Sequence, residues 1–138
     1  MNTVQDVELK KMPIHLDVQG YLAAFDAAQD FQMEIKRIFV VSSHVNAQRG
    51  KHAHKALTQI LICVSGACRV LVDDGITKQE FLLDKPNLAL KVPAHIWAEQ
   101  NSLFENTVLV VACDLPFDED DYIREYDHFL KFRQLGVK

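Results

Sequence analysis

The middle of the chain alternates between short apolar segments and turn-forming residues. The segments are rich in β-branched and aromatic residues, which favour strands, and they cover residues 36–45, 57–64, 67–73, 76–83, 88–93, 95–100 and 107–113. Turns are predicted at Ser65-Gly66, at Asp73-Asp74-Gly75 and around Pro86. No helical pattern of about ten residues or more lies between the segments. This arrangement predicts an all-β barrel or sandwich and disfavours a parallel α/β fold.

The two ends of the chain have different patterns. Residues 12–31 are ambiguous and are expected to hold a strand or two and a short turn. Near the C-terminus, apolar residues recur at spacings of three and four, which predicts one stripe of an amphipathic helix: Tyr122, Ile123, Tyr126, Phe129 and Leu130. The acidic residues 118–121 are expected at its start, where the helix dipole favours negative charge. We expect this helix to pack on the domain, with a role in a dimer interface as the alternative.

Length and composition indicate one globular domain over residues 1–138, with 49% hydrophobic and 25% charged residues. The net charge of −4 argues against a nucleic-acid-binding face. No segment approaches the roughly 20 apolar residues of a membrane span, and the first residues lack the apolar core of a signal peptide. Cys63, Cys68 and Cys113 show no CxxC spacing and are expected to be buried and reduced. We therefore expect a cytoplasmic protein that binds neither nucleic acid nor membranes.

The richest candidate chemistry lies in residues 48–55, Gln-Arg-Gly-Lys-His-Ala-His-Lys. If His52 and His54 lie on a strand, they share one face with Cα atoms about 7 Å apart, so both imidazoles can reach one cavity. Histidine titrates near neutral pH, and such a pair therefore suits general acid–base catalysis. The positive charges of Arg49 and Lys55 beside the pair can neutralise a diphosphate or a developing enolate oxygen.

Two residues of a later strand are further candidates for substrate binding. Trp97, the only tryptophan, offers a flat apolar surface for a sugar or a base, with a place in the core as the alternative. Glu99 lies two residues further along and is expected on the same face of the strand. It can orient a histidine or contact a substrate hydroxyl, and the alternative is an exposed carboxylate.

Several motifs resemble the cupin-type dTDP-sugar 3,4-ketoisomerases, a WxcM-like family. They are Arg49-Gly50-x-His52-Ala53-His54-Lys55 followed by Gln59, then Val72-Asp73-Asp74-Gly75 with Glu80-Phe81, then Pro93-x-x-Ile96-Trp97-x-Glu99, and finally Phe-Asp-Glu-Asp-Asp-Tyr-Ile-Arg at residues 117–124. The resemblance covers about residues 36–132. The first and last motifs, in this order and at this separation, form a specific combination.

The resemblance implies a cupin-type (RmlC-like) jelly-roll β-barrel with a short C-terminal helix. It also implies a homodimer with exchanged N-terminal strands. The implied reaction converts dTDP-4-keto-6-deoxyglucose to a dTDP-3-keto-6-deoxyhexose through an enediol, without a cofactor. The product is expected to serve in the biosynthesis of 3-amino deoxysugars for polysaccharides.

The same resemblance implies that His52 and His54 are the catalytic pair. These residues suit a proton transfer, in which we expect His54 to be the main base and His52 its partner or proton shuttle. Arg49 is a candidate for binding the diphosphate or the enolate oxygen, and Gln59 for binding a sugar hydroxyl. Lys55 belongs to the same motif and is expected to contact the anionic substrate, with a solvated side chain as the alternative.

Metal binding is an alternative use of two histidines at this spacing. Cupins that bind a metal usually add a glutamate about five residues on and a histidine from a later strand. Gln59 and Ala98 stand at those positions, and an amide and a methyl group replace a carboxylate and an imidazole poorly. We expect no metal, but His95 and His44 keep a metal-dependent cupin enzyme, such as a dioxygenase or isomerase, open as an alternative. A third hypothesis is a non-catalytic module that binds sugar nucleotides.

Overall fold

The computed structural model describes residues 1–135 and consists mainly of short antiparallel strands. The strands are β1 Glu8–Lys11, β2 Ile14–Asp17, β3 Gly20–Ala23, β4 Arg37–Ser43, β5 Gln48–His54, β6 Gln59–Ser65, β7 Cys68–Asp73, β8 Lys78–Leu83, β9 Leu88–Val92, β10 Trp97–Ser102, β11 Thr107–Cys113 and β12 Tyr122–Ile123. The helices are α1 Ala27–Phe31 and α2 Tyr126–Leu135, and single 3₁₀ turns cover Val4–Asp6 and Glu119–Asp121.

Ten of these strands form two five-stranded sheets. One has the order β1-β9-β6-β11-β4, the other has the order β12-β5-β10-β7-β8, and β2 and β3 form a separate hairpin. The neighbouring strands of the two sheets pair antiparallel. The predicted all-β architecture with a short C-terminal helix is therefore confirmed. Neither helix of the described chain is long and apolar enough to cross a membrane.

The main hydrophobic core lies between the two sheets. Leu61 and Leu90 from one sheet and Val70 and Val72 from the other are fully buried in one cluster. Alternate residues of each strand point into this space, as the period of two requires. Burial of these side chains supplies the main driving force that holds the sheets together, at roughly 1.5–3 kcal/mol for each large apolar side chain.

The predicted turn after β7 is stabilised by its own aspartates. The Asp74 carboxylate accepts hydrogen bonds from the backbone N–H groups of Ile76 (2.9 Å) and Thr77 (2.8 Å), and Asp73 accepts one from Gly75 (2.7 Å). The φ of +89° at Gly75 lies in the left-handed region that glycine adopts without strain. These bonds explain why Asp-Asp-Gly closes the hairpin of β7 and β8.

The C-terminal helix begins later than the sequence pattern predicts. Asp118 caps a 3₁₀ turn by accepting from the backbone N–H of Asp120 at 3.0 Å, and Tyr122 and Ile123 pair with β5 as a short strand. The helix starts only at Tyr126. The prediction that residues 118–121 stand at a helix start is therefore wrong. Tyr122 and Ile123, which follow them, pair with β5 as a strand, so the helix begins only after this pair.

Helix α2 packs against the outer face of the second sheet. Phe129 is fully buried against Ala53 of β5, Trp97 of β10 and Ile123 of β12. This cluster joins the helix, the short strand β12 and the two central strands into one unit. It therefore fixes the position of residues 119–123, which precede the helix and lie beside the end of strand β5.

Candidate active site

A cavity of about 260 Å³ opens at one end of the barrel. It is lined by both sheets, with contributions from β4, β5, β6, β10, β11 and the segment around β12. The lining residues are Arg37, Phe39, Val41, Arg49, Gly50, His52, Gln59, Gln100, Val111, Tyr122 and Arg124. Of the residues predicted from sequence, the structure brings Arg49, His52 and Gln59 into this cavity, and His54 lies against His52.

The two histidines of β5 lie beside each other. Their ring centroids are 5.0 Å apart and the rings are nearly perpendicular, at 83°. His54 is buried, with 5% of its surface exposed. Ala53, between them, points to the opposite face and packs in the cluster under helix α2. The strand thus presents two imidazoles to one region and a small residue to the other.

A carboxylate from outside the two central strands holds His54. The Nδ1–H of His54 donates to Asp121 at 2.9 Å, and the same carboxylate accepts from the backbone N–H groups of Ala56 (2.7 Å) and Leu57 (3.4 Å). Such a bond selects the tautomer that carries its proton on Nδ1 and leaves Nε2 with a free lone pair. His52 is fixed in the same way, because its Nδ1–H donates to the carbonyl oxygen of Gly50 at 2.9 Å.

Both histidines are neutral near pH 7. Burial, the proximity of His54 and the charge of Arg124 lower the pKa of His52 to about 4, although its bond to Gly50 opposes the change. Burial also lowers the pKa of His54, and the positive charges of Arg124 and Arg37 add to this effect while Asp121 opposes it. Two neutral imidazoles can each accept a proton, which suits the pair to general base catalysis.

Tyr122 connects the histidine pair to the positive charges of the cavity. Its ring centroid lies 5.0 Å from that of His52 and 4.4 Å from that of His54. The guanidinium of Arg124 stacks over the tyrosine ring at 4.2 Å and donates two hydrogen bonds to Glu119, at 2.7 and 2.8 Å. The aromatic ring therefore packs between both imidazoles and a cation.

A β-bulge at Lys51 decides which residues of β5 face the cavity. Ala98 of β10 pairs with His52, but the next residue, Glu99, pairs with Gly50, so that Lys51 has no partner. Without the bulge, strand alternation would place Arg49 and His52 on opposite faces, and the extra residue brings both to the cavity. The Nε–H of Arg49 donates to the hydroxyl of Ser43 at 2.7 Å.

Gly50 permits this bulge. Its φ is +78°, and a β-carbon at this position would lie 2.9 Å from the carbonyl oxygen of Ala98, which is closer than real β-carbons approach backbone oxygen. The glycine of the Arg-Gly-x-His motif is thus required by the close approach of β10. Lys51 itself has a φ of +55° and an exposed side chain.

Three predicted substrate-binding residues lie outside the cavity. Trp97 is 4% exposed, packs edge-on against Tyr126 at 5.3 Å, and donates its Nε1–H to Glu99 at 2.9 Å. Both residues lie on the face of β10 away from the cavity, whereas Gln100 lines it. Lys55 follows the end of β5 and its side chain is exposed. The core alternative for Trp97 therefore describes the structure, and strand alternation explains why Glu99 accompanies it.

The further residues considered as metal ligands do not join His52 and His54 in a metal site within the described part of the chain. Within residues 1–135, no group of three or more His, Cys, Asp and Glu side chains is arranged to hold a metal ion. Gln59 is buried in the cavity wall and Ala98 lies opposite His52 in the sheet. His95 accepts a bond at Nδ1 from the backbone N–H of Asn2 (3.3 Å), and His44 pairs with Glu105 on the surface.

Sequence reasoning missed five residues of the site: Arg37, Gln100, Asp121, Tyr122 and Arg124. The last three stand in the acidic and aromatic motif at residues 117–124, which was assigned to the start of the helix. Their role depends on the pairing of β12 with β5, which joins residues almost seventy positions apart: Tyr122 lies opposite His54. A periodic pattern carries no information about such a long-range contact.

Comparison with known proteins places these features in a family. The family model described as "FdtA: WxcM-like, C-terminal" matches residues 5–134. A TDP-4-oxo-6-deoxy-α-D-glucose-3,4-oxoisomerase from Aneurinibacillus thermoaerophilus is 38% identical over 118 residues, which are 85% of each chain.

Solved structures give the same result. A 3,4-ketoisomerase from Helicobacter canadensis superposes with a TM-score of 0.88 at 31% identity, over 94% of this chain and 98% of that one. A mutant of the 3,4-ketoisomerase QdtA from Thermoanaerobacterium thermosaccharolyticum, in complex with TDP-4-keto-6-deoxyglucose, superposes with a TM-score of 0.89 at 28% identity, over 96% of both chains. These likenesses confirm the cupin-type (RmlC-like) fold expected from the motifs.

The lowered pKa of His52 predicts that the protein loses stability in mild acid. The pKa is about 4 in the folded protein and close to 6.5 in the unfolded chain, so between these values the unfolded chain binds more protons. The free energy of unfolding should therefore fall as the pH is lowered from 6.5 towards 4. Urea unfolding at a series of pH values should show a smaller dependence in His52→Asn than in the wild type.

The matched control is His128→Asn, since His128 is exposed on helix α2. This variant should keep the pH dependence of the wild type. NMR titration of the His52 ring gives an independent measurement, and a midpoint at 6.5 or above would contradict the description of this site.

Proposed function

The chain belongs to the FdtA, WxcM-like family and is a dTDP-sugar 3,4-ketoisomerase, and from this premise we propose how its residues perform the reaction. The proposed substrate is dTDP-4-keto-6-deoxyglucose and the product is its 3-keto isomer. The observation that carries the mechanism is the pair of neutral histidines beside a cavity lined by arginines, with Asp121 bonded to one of them.

The proposed reaction removes one proton from C3 and one from its hydroxyl, and adds one proton at C4 and one at the C4 oxygen. A base removes the proton from C3, the electrons of that C–H bond form a C3=C4 double bond, and the electrons of the C4 carbonyl move to its oxygen. The enediolate then loses the proton of the C3 hydroxyl, its C3 oxygen becomes a carbonyl, and C4 and its oxygen each receive a proton. C3 is oxidised and C4 is reduced by the same electrons, and the reaction balances without an external oxidant.

His54 suits the role of the main base. Its bond to Asp121 leaves Nε2 free to accept the C3 proton, and the carboxylate stabilises the imidazolium that forms. His52, with its ring 5.0 Å away, is the proposed partner that moves a proton to C4. Tyr122 packs against both rings and is placed to hold them in position.

The substrate's polar groups have partners in the cavity wall. Arg49 is the proposed ligand of the diphosphate, because a guanidinium binds phosphate oxygens in a bidentate manner. Gln59, buried in the wall formed by β6, is the proposed partner of a sugar hydroxyl. Lys55, Trp97 and Glu99 have no place in this assignment, because their side chains lie outside the cavity.

We place the reaction before an amino transfer. A 3-keto group on a nucleotide-linked 6-deoxyhexose is the substrate from which an aminotransferase makes a 3-amino deoxysugar, which can enter a polysaccharide. We also propose that residues 1–138 form one cupin domain and that the protein is cytoplasmic. The three cysteines are buried and unpaired, and burial raises the pKa of each thiol, which is consistent with a reducing compartment.

We further propose a homodimer with exchanged N-terminal strands. The hairpin of β2 and β3 pairs with no other strand within residues 1–135, and an isolated two-stranded hairpin is at best marginally stable in water. Several apolar residues of this hairpin and of the edge strand β4 are exposed in the protomer: Leu16, Tyr21, Leu22, Ile38 and Val40. A groove of about 250 Å³ lies beside the hairpin and has an apolar lining.

Turnover in D₂O tests the proposed reaction. Incubation of the purified protein with dTDP-4-keto-6-deoxyglucose should give the 3-keto isomer with deuterium at C4, and the recovered substrate should carry deuterium at C3. The physical reason is that the base exchanges its proton with solvent between abstraction and return. NMR of the sugar measures both positions, and the absence of both exchange at C3 and isomer formation would overturn the proposed function.

Two variants and one control test the residues in the same assay. His54→Asn should abolish turnover, and Asp121→Asn should lower kcat about 100- to 10,000-fold, because the imidazole loses its tautomer and its counter-charge. Asp120→Asn, an exposed neighbour, should keep wild-type activity. Thermal unfolding checks that each variant is folded. Loss of activity on chelation would instead favour the metal-dependent alternative, and tight binding without turnover would favour a binding module.

Sedimentation equilibrium tests the dimer. The wild type should have twice the 15.7 kDa mass of the chain, and replacing Leu16 and Leu22 together by lysine should give a monomer, because the charges cannot be buried in the interface. Ile76→Lys is the control, since Ile76 is 91% exposed in the turn between β7 and β8. A wild-type monomer at micromolar concentration would contradict the proposal.

A further inference from the structure

Arg37 lies in the wall of the cavity opposite the histidine strand. It is the first residue of β4 and pairs with Cys113 of β11, which in turn pairs with Gln59 of β6 on its other side. Arg37 and Gln59 therefore lie at the same height along the strands of the first sheet, on either side of Cys113. Both line the cavity with His52, which belongs to the second sheet.

The guanidinium of Arg37 is held by aromatic rings. Its central carbon lies 4.8 Å from the centre of the Phe39 ring and 5.2 Å from that of Phe117. Contacts with ring faces orient the planar group and attract its charge, but they do not satisfy its N–H donors. The Nη1 atom is fully buried and has no hydrogen-bond partner within residues 1–135.

The other arginines of the cavity are engaged differently. Arg124 is half exposed, and its Nε and Nη2 donate to the carboxylate of Glu119. The Nε of Arg49 donates to the hydroxyl of Ser43. A buried, unsatisfied N–H of a charged group costs free energy unless a bound acceptor completes it. Arg37 thus places a positive charge of fixed orientation in the cavity wall.

We propose that Arg37 is a catalytic residue whose guanidinium, in the cavity wall, donates to the C4 oxygen of the sugar and stabilises the enediolate. This assignment rests on the proposed function. It also gives the two arginines different roles, because Arg49 remains the proposed ligand of the diphosphate. The C4 oxygen is the atom on which negative charge develops when the C3 proton leaves, and a preorganised donor in a water-poor site acts most strongly on such developing charge.

Two further observations support the assignment. Arg37 is one of the positive charges that lower the pKa of His54, after burial and Arg124, so its charge is felt at the proposed base. A positive charge near the base favours the base's neutral form and at the same time favours an anion on the substrate. Gln59, at the same level of the sheet, can hold the neighbouring oxygen at C3.

Kinetics and TDP binding of Arg37 variants distinguish a contact of Arg37 with the enediolate from a contact with the diphosphate. Arg37→Met should lower kcat about 100- to 1,000-fold at saturating dTDP-4-keto-6-deoxyglucose and slow deuterium exchange at C3 in parallel. The Kd for TDP, measured by calorimetry, should stay within about threefold, because TDP lacks the sugar. Arg37→Ala should regain at least about tenfold of its lost kcat when guanidinium chloride is added at non-denaturing concentration, an effect that a purely structural role would not produce.

Arg69→Met is the matched control. Arg69 lies on β7 outside this cavity, near Glu80, and its loss should change neither kcat nor TDP affinity. If Arg37→Met keeps kcat within threefold, or if its TDP affinity falls tenfold or more while kcat at saturation is retained, the assignment is overturned.

Three further outcomes keep the test independent of folding and of the proposed function. If Arg37→Met and Arg37→Ala do not fold, the wild-type structure with TDP decides, because a diphosphate oxygen within 3.5 Å of any guanidinium nitrogen of Arg37 overturns the assignment and a diphosphate bound elsewhere supports it. If the wild type makes no 3-keto isomer, the proposed function fails. If the wild type is active and the variants behave as the control does, only the role of Arg37 fails.

Discussion

The pairing of Tyr122 and Ile123 with Ala53 and His54 is the contact on which the site depends. It is only two residues long, yet it attaches the C-terminal segment to the strand that carries both histidines. On one face of this pair, Ile123 and Ala53 join the cluster under helix α2 with Phe129. On the other face, the ring of Tyr122 packs against the two imidazoles. The burial of apolar side chains outside the barrel thus holds the two histidines and Tyr122 at its end.

A second constraint is the close approach of β10 to β5. The bulge at Lys51 exists because Gly50 lets the carbonyl oxygen of Ala98 come close, and it changes the face to which every earlier residue of β5 points. Arg49 therefore joins His52 in the cavity. The Arg-Gly-x-His motif accordingly fixes the backbone geometry as well as the charge, because the glycine permits the bulge that turns the Arg49 side chain into the cavity.

The sequence predicted the fold well where the pattern was local. Strand β4, the strands from β6 to β11 and the turn at Asp74 follow from β-branched runs and turn residues. Strand β5 was considered only from the spacing of its two histidines, because residues 48–54 contain no β-branched residue. Residues 12–31 were ambiguous, with a strand or two and a short turn expected, and the structure has the hairpin of β2 and β3 there. Strand β1 was not predicted. The start of helix α2 was misplaced because its periodicity continues into a segment that pairs as a strand.

The site was predictable only in part, for related reasons. The spacing of His52 and His54 was sufficient to place both rings together, since it depends on one strand. Trp97 and Glu99 were assigned to substrate although alternation puts Ala98 and Gln100, and not them, on the cavity side of β10. Asp121 could not be found from the pattern, because only the fold brings it to His54 across 67 positions.

The arrangement of charge gives the proposed reaction its physical logic. Before proton transfer, the histidines are neutral. The Asp121 carboxylate is bonded to the neutral His54, and in the proposed complex the Arg37 guanidinium faces the neutral C4 carbonyl of the sugar. When His54 takes the C3 proton, the imidazolium forms beside the carboxylate and the enediolate forms beside the guanidinium. Each new charge thus arises next to a fixed opposite charge, and little reorganisation of the protein is required. In water the same separation of charge would require solvent dipoles to reorient. In the barrel, charged groups that are already oriented stabilise the new charges without that reorientation.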